Sequence, residues 1–120
     1  NILCQIKGRK RVVLWHPREV SHLYVTGSSS RVIDIDEPDL QLYPKCGSIR
    51  SRMECILEAG FFEESCLIEF QGEIIFIPAL WFHNVISIEP SISINIFWKG
   101  LDDSHYEKKD LYGNKVFIPL

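Results

Sequence analysis

The chain has 120 residues, 46% of them hydrophobic and 24% charged, a balance that fits an ordinary globular domain and excludes whole-chain disorder. Thirteen Lys and Arg against sixteen Asp and Glu leave a formal charge of -3. There is therefore no global positive field, and contact with nucleic acid or an anionic membrane must use a local patch. No run approaches the ~18 apolar residues that cross a bilayer, and the apolar opening breaks at Gln5 into a basic cluster, unlike a secretory signal. The expectation is one domain, or a piece of one opening in mid-strand, in an intracellular protein of the cytoplasm or nucleus.

Asn1 to Ile6 and Arg11 to Trp15 are apolar or β-branched runs around Lys7-Gly8-Arg9-Lys10, which predicts a hairpin. Pro17 ends the second run, and Arg18 to Tyr24 has the length of one or two helical turns before Thr26-Gly27-Ser28-Ser29-Ser30 breaks the pattern. Arg31 to Ile35 reads as a short strand. Asp34 to Pro44, with four acids and two prolines, reads as a surface excursion. Strands resume at Met53 to Leu57, Leu67 to Phe70, Glu73 to Ile77, His83 to Ile88 and Ile92 to Trp98. Their spacing, with no long amphipathic helix between them, argues for an antiparallel sandwich or barrel. In the last of them Ile92, Ile94, Ile96 and Trp98 share one face and Ser93, Asn95 and Phe97 the other. The polar face would meet water in a sandwich and a lumen in a barrel. The tail is polar and turn-rich to Lys115 and apolar thereafter.

The four cysteines form no C-x-x-C pair, which excludes a zinc knuckle or dithiol motif. Cys55 and Cys66, beside Ile56 and Leu67, read as small core residues. The densest unusual segment is Phe76 to Val85, where a proline-broken strand turns through two aromatics and delivers His83 to the next strand. A lone histidine among apolar neighbours is by itself an ordinary core or surface residue. Lys10, in a charge run at a turn, is by itself a solvated lysine.

Taken together, Q-I-K-G-R-K-R-V-V-L at 5–14, D-E-P-D at 36–39, L-E-A-G at 57–60, G-E-I-I-F-I-P-A-L-W-F-H-N-V at 72–85 and N-I-F-W-K at 95–99 resemble the JmjC-type cupin hydroxylases. Within that family the pattern is most similar to members acting on the hypermodified guanosine wybutosine of tRNA, and next to those acting on asparaginyl side chains. The resemblance runs from Asn1 to about Lys115. It implies a mostly β chain, a double-stranded β-helix (cupin) barrel incomplete at its N-terminus. Residues 1–99 would be a partial domain with 60–71 an insertion, and 100–120 a tail that leaves the family pattern from 116.

For chemistry, the resemblance implies Fe(II) held by two histidines and one carboxylate, with 2-oxoglutarate as cosubstrate. By position, His83 falls on a metal histidine. Lys10 falls on the lysine that meets the far carboxylate of 2-oxoglutarate, a task suited to a compact charge on a long stem. Asn1 and Asn95 fall on asparagines near the iron and the cosubstrate. tRNA is the implied partner, met by the basic cluster at 7–11 and extended by Arg50 and Arg52. No membrane is implied, and a homodimer is expected of the complete enzyme rather than of this segment. His16, His22 and His105 have no counterpart and are expected at the surface.

The H-x-D motif that should stand a few residues before Asn1 is absent from these 120 residues. Asp34 and Asp36 lie in the wrong segment to replace it. One imidazole does not hold Fe(II) usefully, so the chain alone is expected to be inactive. Three readings stand: a segment of a tRNA hydroxylase, a segment of a protein-directed hydroxylase, and a non-catalytic cupin module that has lost its metal.

Overall fold

Alternating burial along two consecutive strands sets up the architecture. In β1 (Ile2–Lys7) Leu3 and Gln5 are buried and their neighbours are only partly covered, whereas in β2 (Arg9–Trp15) everything from Val12 onward is buried. A strand covered on one side faces a single core, and a strand covered on both lies between two. The computed structural model, which describes residues 1–59 and 72–98, shows how. The later strands are β5 (Arg52–Glu58), β6 (Ile74–Phe76), β7 (Phe82–Ser87) and β8 (Ile92–Ile96). One antiparallel sheet has the order β6-β1-β8 and a second has the order β5-β2-β7. Leu3 of the first sheet packs with Val12, Leu14 and Leu57 of the second and with Ile77. The sheets therefore lie face to face over a shared apolar layer.

The predicted hairpin does not form. β1 and β2 belong to different sheets, and only Gly8, at φ +72°, stands between them. One residue is too short for an antiparallel hairpin, whose commonest loop has two; it serves instead as a corner from sheet to sheet. The corner is packed against a second one, since a Cβ at Gly8 would lie 2.5 Å from the carbonyl oxygen of Pro90. The Ile88 amide donates to the Arg9 carbonyl at 3.0 Å, and the Ala59 amide donates to that of Gly8 at 3.2 Å. Ala59 also bridges Gly72, so the two residues that flank 60–71 sit together at this same end. The expected strand Leu67 to Phe70 and Cys66 lie outside the described residues.

The outer side of the second sheet is covered by the excursion from Pro17 to Ile49. Val13 and Trp15 pack on Leu23, with Val25, Ile35, Ile49 and Phe82 around them. The helical turn predicted after Pro17 is a 3-10 turn, Pro17–Ser21, and another follows at Pro44–Ser48. The short strand expected at Arg31 to Ile35 is absent. The pairing occurs earlier, between β3 (Val25–Thr26) and β4 (Ser29–Ser30). Side chains take over the backbone beyond it: Ser30 Oγ accepts from the Val32 amide, and Asp34 Oδ1 from the amides of Asp36 and Glu37.

Two histidines expected at the surface are half-buried and structural. His16 caps the first turn by accepting from the Arg18 amide at 3.1 Å, and its ring meets that of Trp81 edge-on. His22 Nδ1 lies 2.7 Å from Oε2 of Glu19, a buried acid that also accepts from Ser51 Oγ at 2.9 Å. Burial pushes the Glu19 carboxyl up, but the hydrogen bonds from Ser51, His22 and the Arg50 backbone outweigh it and hold it below its ordinary value.

Two substitutions test this packing. Gly27, at φ +64°, has nothing within 4 Å of an added Cβ, whereas Gly8 has backbone in the way. Gly27→Ala should cost about 1 kcal/mol from strain alone, and Gly8→Ala about 3 kcal/mol or more, measured by denaturant unfolding. Because Glu19 is held low, its stabilisation is present above its ordinary value near 4.5 and is lost as the pH falls through the depressed one. Glu19→Gln should lower Tm at neutral pH and make its fall towards acid shallower; an unchanged profile would contradict the pairing.

Candidate functional site

Residues directly opposite one another in antiparallel strands share a face, so the register sorts the sequence into an inner and an outer set. Leu14 is an inner residue, and His83 lies opposite it. Lys10 is two and four residues from Val12 and Leu14 on the same strand and is opposite Leu57 and Ser87. Leu3 is inner, and Asn95 lies opposite it; Gln5, two residues on, has Ser93 opposite. Asn1 is two residues before Leu3. Register thus puts Lys10, His83, Asn95 and Asn1 all on the faces that the two sheets turn towards each other.

Their side chains occupy different depths. Lys10 Nζ crosses the gap between the sheets and donates to Ser93 Oγ at 2.7 Å. Among the described residues it has no carboxylate partner. His83, four positions along the β2 register or ~13 Å at strand rise, is exposed at the opposite, open end. Its Nδ1 lies 3.3 Å from the Trp81 carbonyl oxygen. Between them the inner wall is Val12, Val85 and Leu14. Asn95 is exposed. Asn1 is tied by its backbone to Ile77 in both directions at 2.8 Å, and its side-chain Oδ1 is buried without a partner.

The turn that delivers His83 is strained. Leu80 sits at φ +66°, a region that residues other than glycine rarely adopt. The Trp81 ring, anchored on the inner core and against His16, fixes the chain where it enters β7. Two residues at this site were not singled out from sequence. Ser93 was placed on a polar face, but pairing it with Lys10 required knowing that the strands lie in opposite sheets. Gln5 is fully buried, and its Nε2 donates to the carbonyls of Lys7 and Gly8 at 2.7 and 3.0 Å while Oε1 has no partner. Its two-residue spacing from Leu3 was the available signal.

The basic run at 7–11 does not form one patch, because strand alternation splits it. Lys10 turns inward. Arg9 meets Glu58 and Glu89 at 3.9 and 3.5 Å. Arg11 is bonded to Asp36 at 2.7 Å and to Glu54 at 2.6 Å, and Arg52 joins the same two acids. Hydrogen bonds from Arg11 and then Arg52 hold the Asp36 carboxyl far below the usual range, and the same arginines lower Glu54. Asp36 is thus neutralised on the outer face, away from His83. Among the described residues no three His, Cys, Asp or Glu side chains gather closely enough to hold a metal ion. The described residues therefore offer one imidazole and do not by themselves fit an iron centre.

Residues 1–104 match the family model described as a cupin-like domain. The chain belongs to the cupin-like family. The two facing antiparallel sheets are the cupin double-stranded β-helix arrangement. Over 115 residues, 96% of this chain, it is 49% identical to the protein of Danio rerio named tRNA wybutosine-synthesizing protein 5 and 50% identical to the protein of that name in Homo sapiens. It is 32% identical over 117 residues to tRNA wybutosine-synthesizing protein 4 of Aspergillus oryzae. These matches cover 31%, 32% and 10% of the three proteins. The chain thus spans about a third of the length of the wybutosine-synthesizing 5 proteins that it matches.

The placement makes one direct prediction. The His83 ring is open to solvent, whereas His22 is engaged with Glu19. An imidazole-acylating reagent should modify His83 several-fold faster than His22, read residue by residue by mass spectrometry. Equal rates would contradict the placement of His83 at the open end.

Proposed function

We propose that this chain forms the cosubstrate-binding wall of an Fe(II)- and 2-oxoglutarate-dependent hydroxylase acting on the hypermodified guanosine of the wybutosine type in tRNA, in the cytoplasm or nucleus. The observation that carries the reading is Lys10. A half-buried ammonium group between two sheets, bonded to a hydroxyl and lacking a carboxylate among the described residues, is available to pair with an anion there. The names of the relatives support tRNA as the substrate. Among the described residues no helix is long and apolar enough to cross a membrane.

In this reading the iron supplies the oxidative chemistry, and the chain's own residues bind and orient. Lys10 takes the far carboxylate of 2-oxoglutarate, exchanging its bond to Ser93 for a charge-assisted one. Val12 and Leu14 give the face between Lys10 and His83 a buried apolar floor. His83 would give one metal ligand, Asn95 lies on the same inner face, and Asn1 offers a buried amide oxygen. The remaining ligands would have to come from outside the described residues. A second reading, a cupin module that binds without turnover, is favoured by the lack of a three-ligand cluster among the described residues.

The experiment completes the chain with the flanking polypeptide of the Danio rerio relative. The product should release succinate from 2-oxoglutarate in the presence of tRNA and not of peptides. Lys10→Met should cost roughly 2 kcal/mol or more of cosubstrate binding, about a thirtyfold rise in KM, and His83→Ala should abolish iron retention. Iron retained at wild-type level in the His83 variant would overturn the site, and binding without any turnover would favour the second reading.

A further inference from the structure

The excursion that covers the second sheet carries a feature the reaction does not use. Its outer surface holds an open groove of about 400 Å³, lined by Val20, Tyr24, Val25, Thr26, Arg31 and Lys45 among others. The size suits a nucleotide-sized group, at the small end of the range for ligand sites.

The walls are stitched to one another. The Arg31 amide donates to the Tyr24 carbonyl at 3.2 Å, the Lys45 amide donates to Tyr24 Oη at 3.1 Å, and Tyr43 Oη donates to the Arg31 carbonyl at 2.9 Å. The rings of Tyr24 and Tyr43 meet edge to face with centroids 5.2 Å apart. Tyr24 is held at φ +49°, a strained conformation for a bulky residue that the surrounding bonds must maintain.

The charges point to the occupant. Arg9, Arg11, Arg18 and Arg52 all have acid partners, whereas Arg31 and Lys45, both exposed, have none among the described residues. Three of the four acids at 34–39 are committed elsewhere. Asp34 and Asp39 cap their own turns, and Asp36 is bound by Arg11 and Arg52. On a chain of net charge -3, two unpaired cations on one rigid aromatic groove make a local site for a polyanion with flat groups. The excursion also leaves β2 at the open end of the sheets, where His16 meets Trp81, two residues from His83.

We propose that this groove seats a single-stranded segment of the RNA substrate, with Arg31 and Lys45 each holding a phosphate and Tyr24 giving an aromatic wall for a base. The inference rests on the reading that the substrate is RNA.

The test measures binding of a fluorescent tRNA stem–loop to the full 120-residue chain by anisotropy across a salt series. The double variant Arg31→Glu, Lys45→Glu should bind about tenfold more weakly or worse. Arg31→Gln with Lys45→Gln should lower the slope of log affinity against log salt by about 1.4, the release expected from two single-strand phosphates. Lys45→Arg should bind as wild type. Wild-type binding by both groove variants overturns the groove as the site. Failure of the parent reading shows differently, as no tRNA-dependent succinate release by the completed wild-type protein, whatever the groove variants do.

Discussion

Strand β2 is the member on which everything else depends, because it is buried on both sides and its register decides what each side holds. Its inner residues, Lys10, Val12 and Leu14, face the first sheet, and its outer ones, Arg11, Val13 and Trp15, face the excursion. A slip of one position would exchange the two sets, sending Arg11 into the gap and Lys10 outward. The register is pinned at both ends. At one end lies the Gly8 corner, where the carbonyl of Pro90 leaves no room for a side chain. At the other, Trp15 is packed under Leu23. The ion network of Arg11, Arg52, Asp36 and Glu54 adds a lock on the outer side.

Much of the inner set was legible in the sequence, because period-two alternation survives translation into structure. Ser93 and Asn95 were placed opposite the isoleucine face of their strand, and they lie opposite Gln5 and Leu3 on the inner side. Which strands pair was not legible. The run on either side of Gly8 carries a local hairpin signal, and only the long-range partners β5, β6, β7 and β8 show that both sides of each strand are already taken. The same blindness explains the basic cluster. Five consecutive residues with four charges read as a patch, but a strand sends alternate side chains to opposite faces, and the outward arginines met acids brought from up to 80 positions away, as Arg9 met Glu89. Glu19, buried with His22 and Ser51, was missed because nothing in a local window announces a buried acid.

The division of labour follows from that split. The inner lysine is half-buried and, among the described residues, has no carboxylate partner, so it is free for an anion that enters between the sheets. The outer arginines hold the excursion in place, and the excursion in turn presents Arg31, Lys45 and Tyr24 on its far surface. The outer side of the first sheet is different: Ile74, Phe76, Ile94 and Ile96 are each more than half exposed, and Phe76 stacks on Trp98.

The central claim is that the Lys10 ammonium is an anion site opening towards His83. Its most direct test is a titration of the chain with 2-oxoglutarate, followed by NMR of the lysine ε-methylene and arginine side-chain signals. The account predicts that Lys10 shifts and saturates while Arg9, on the opposite face of the strand in its own ion pairs, stays still. Shifts of equal size in both, or none at Lys10 up to saturating 2-oxoglutarate, would contradict it.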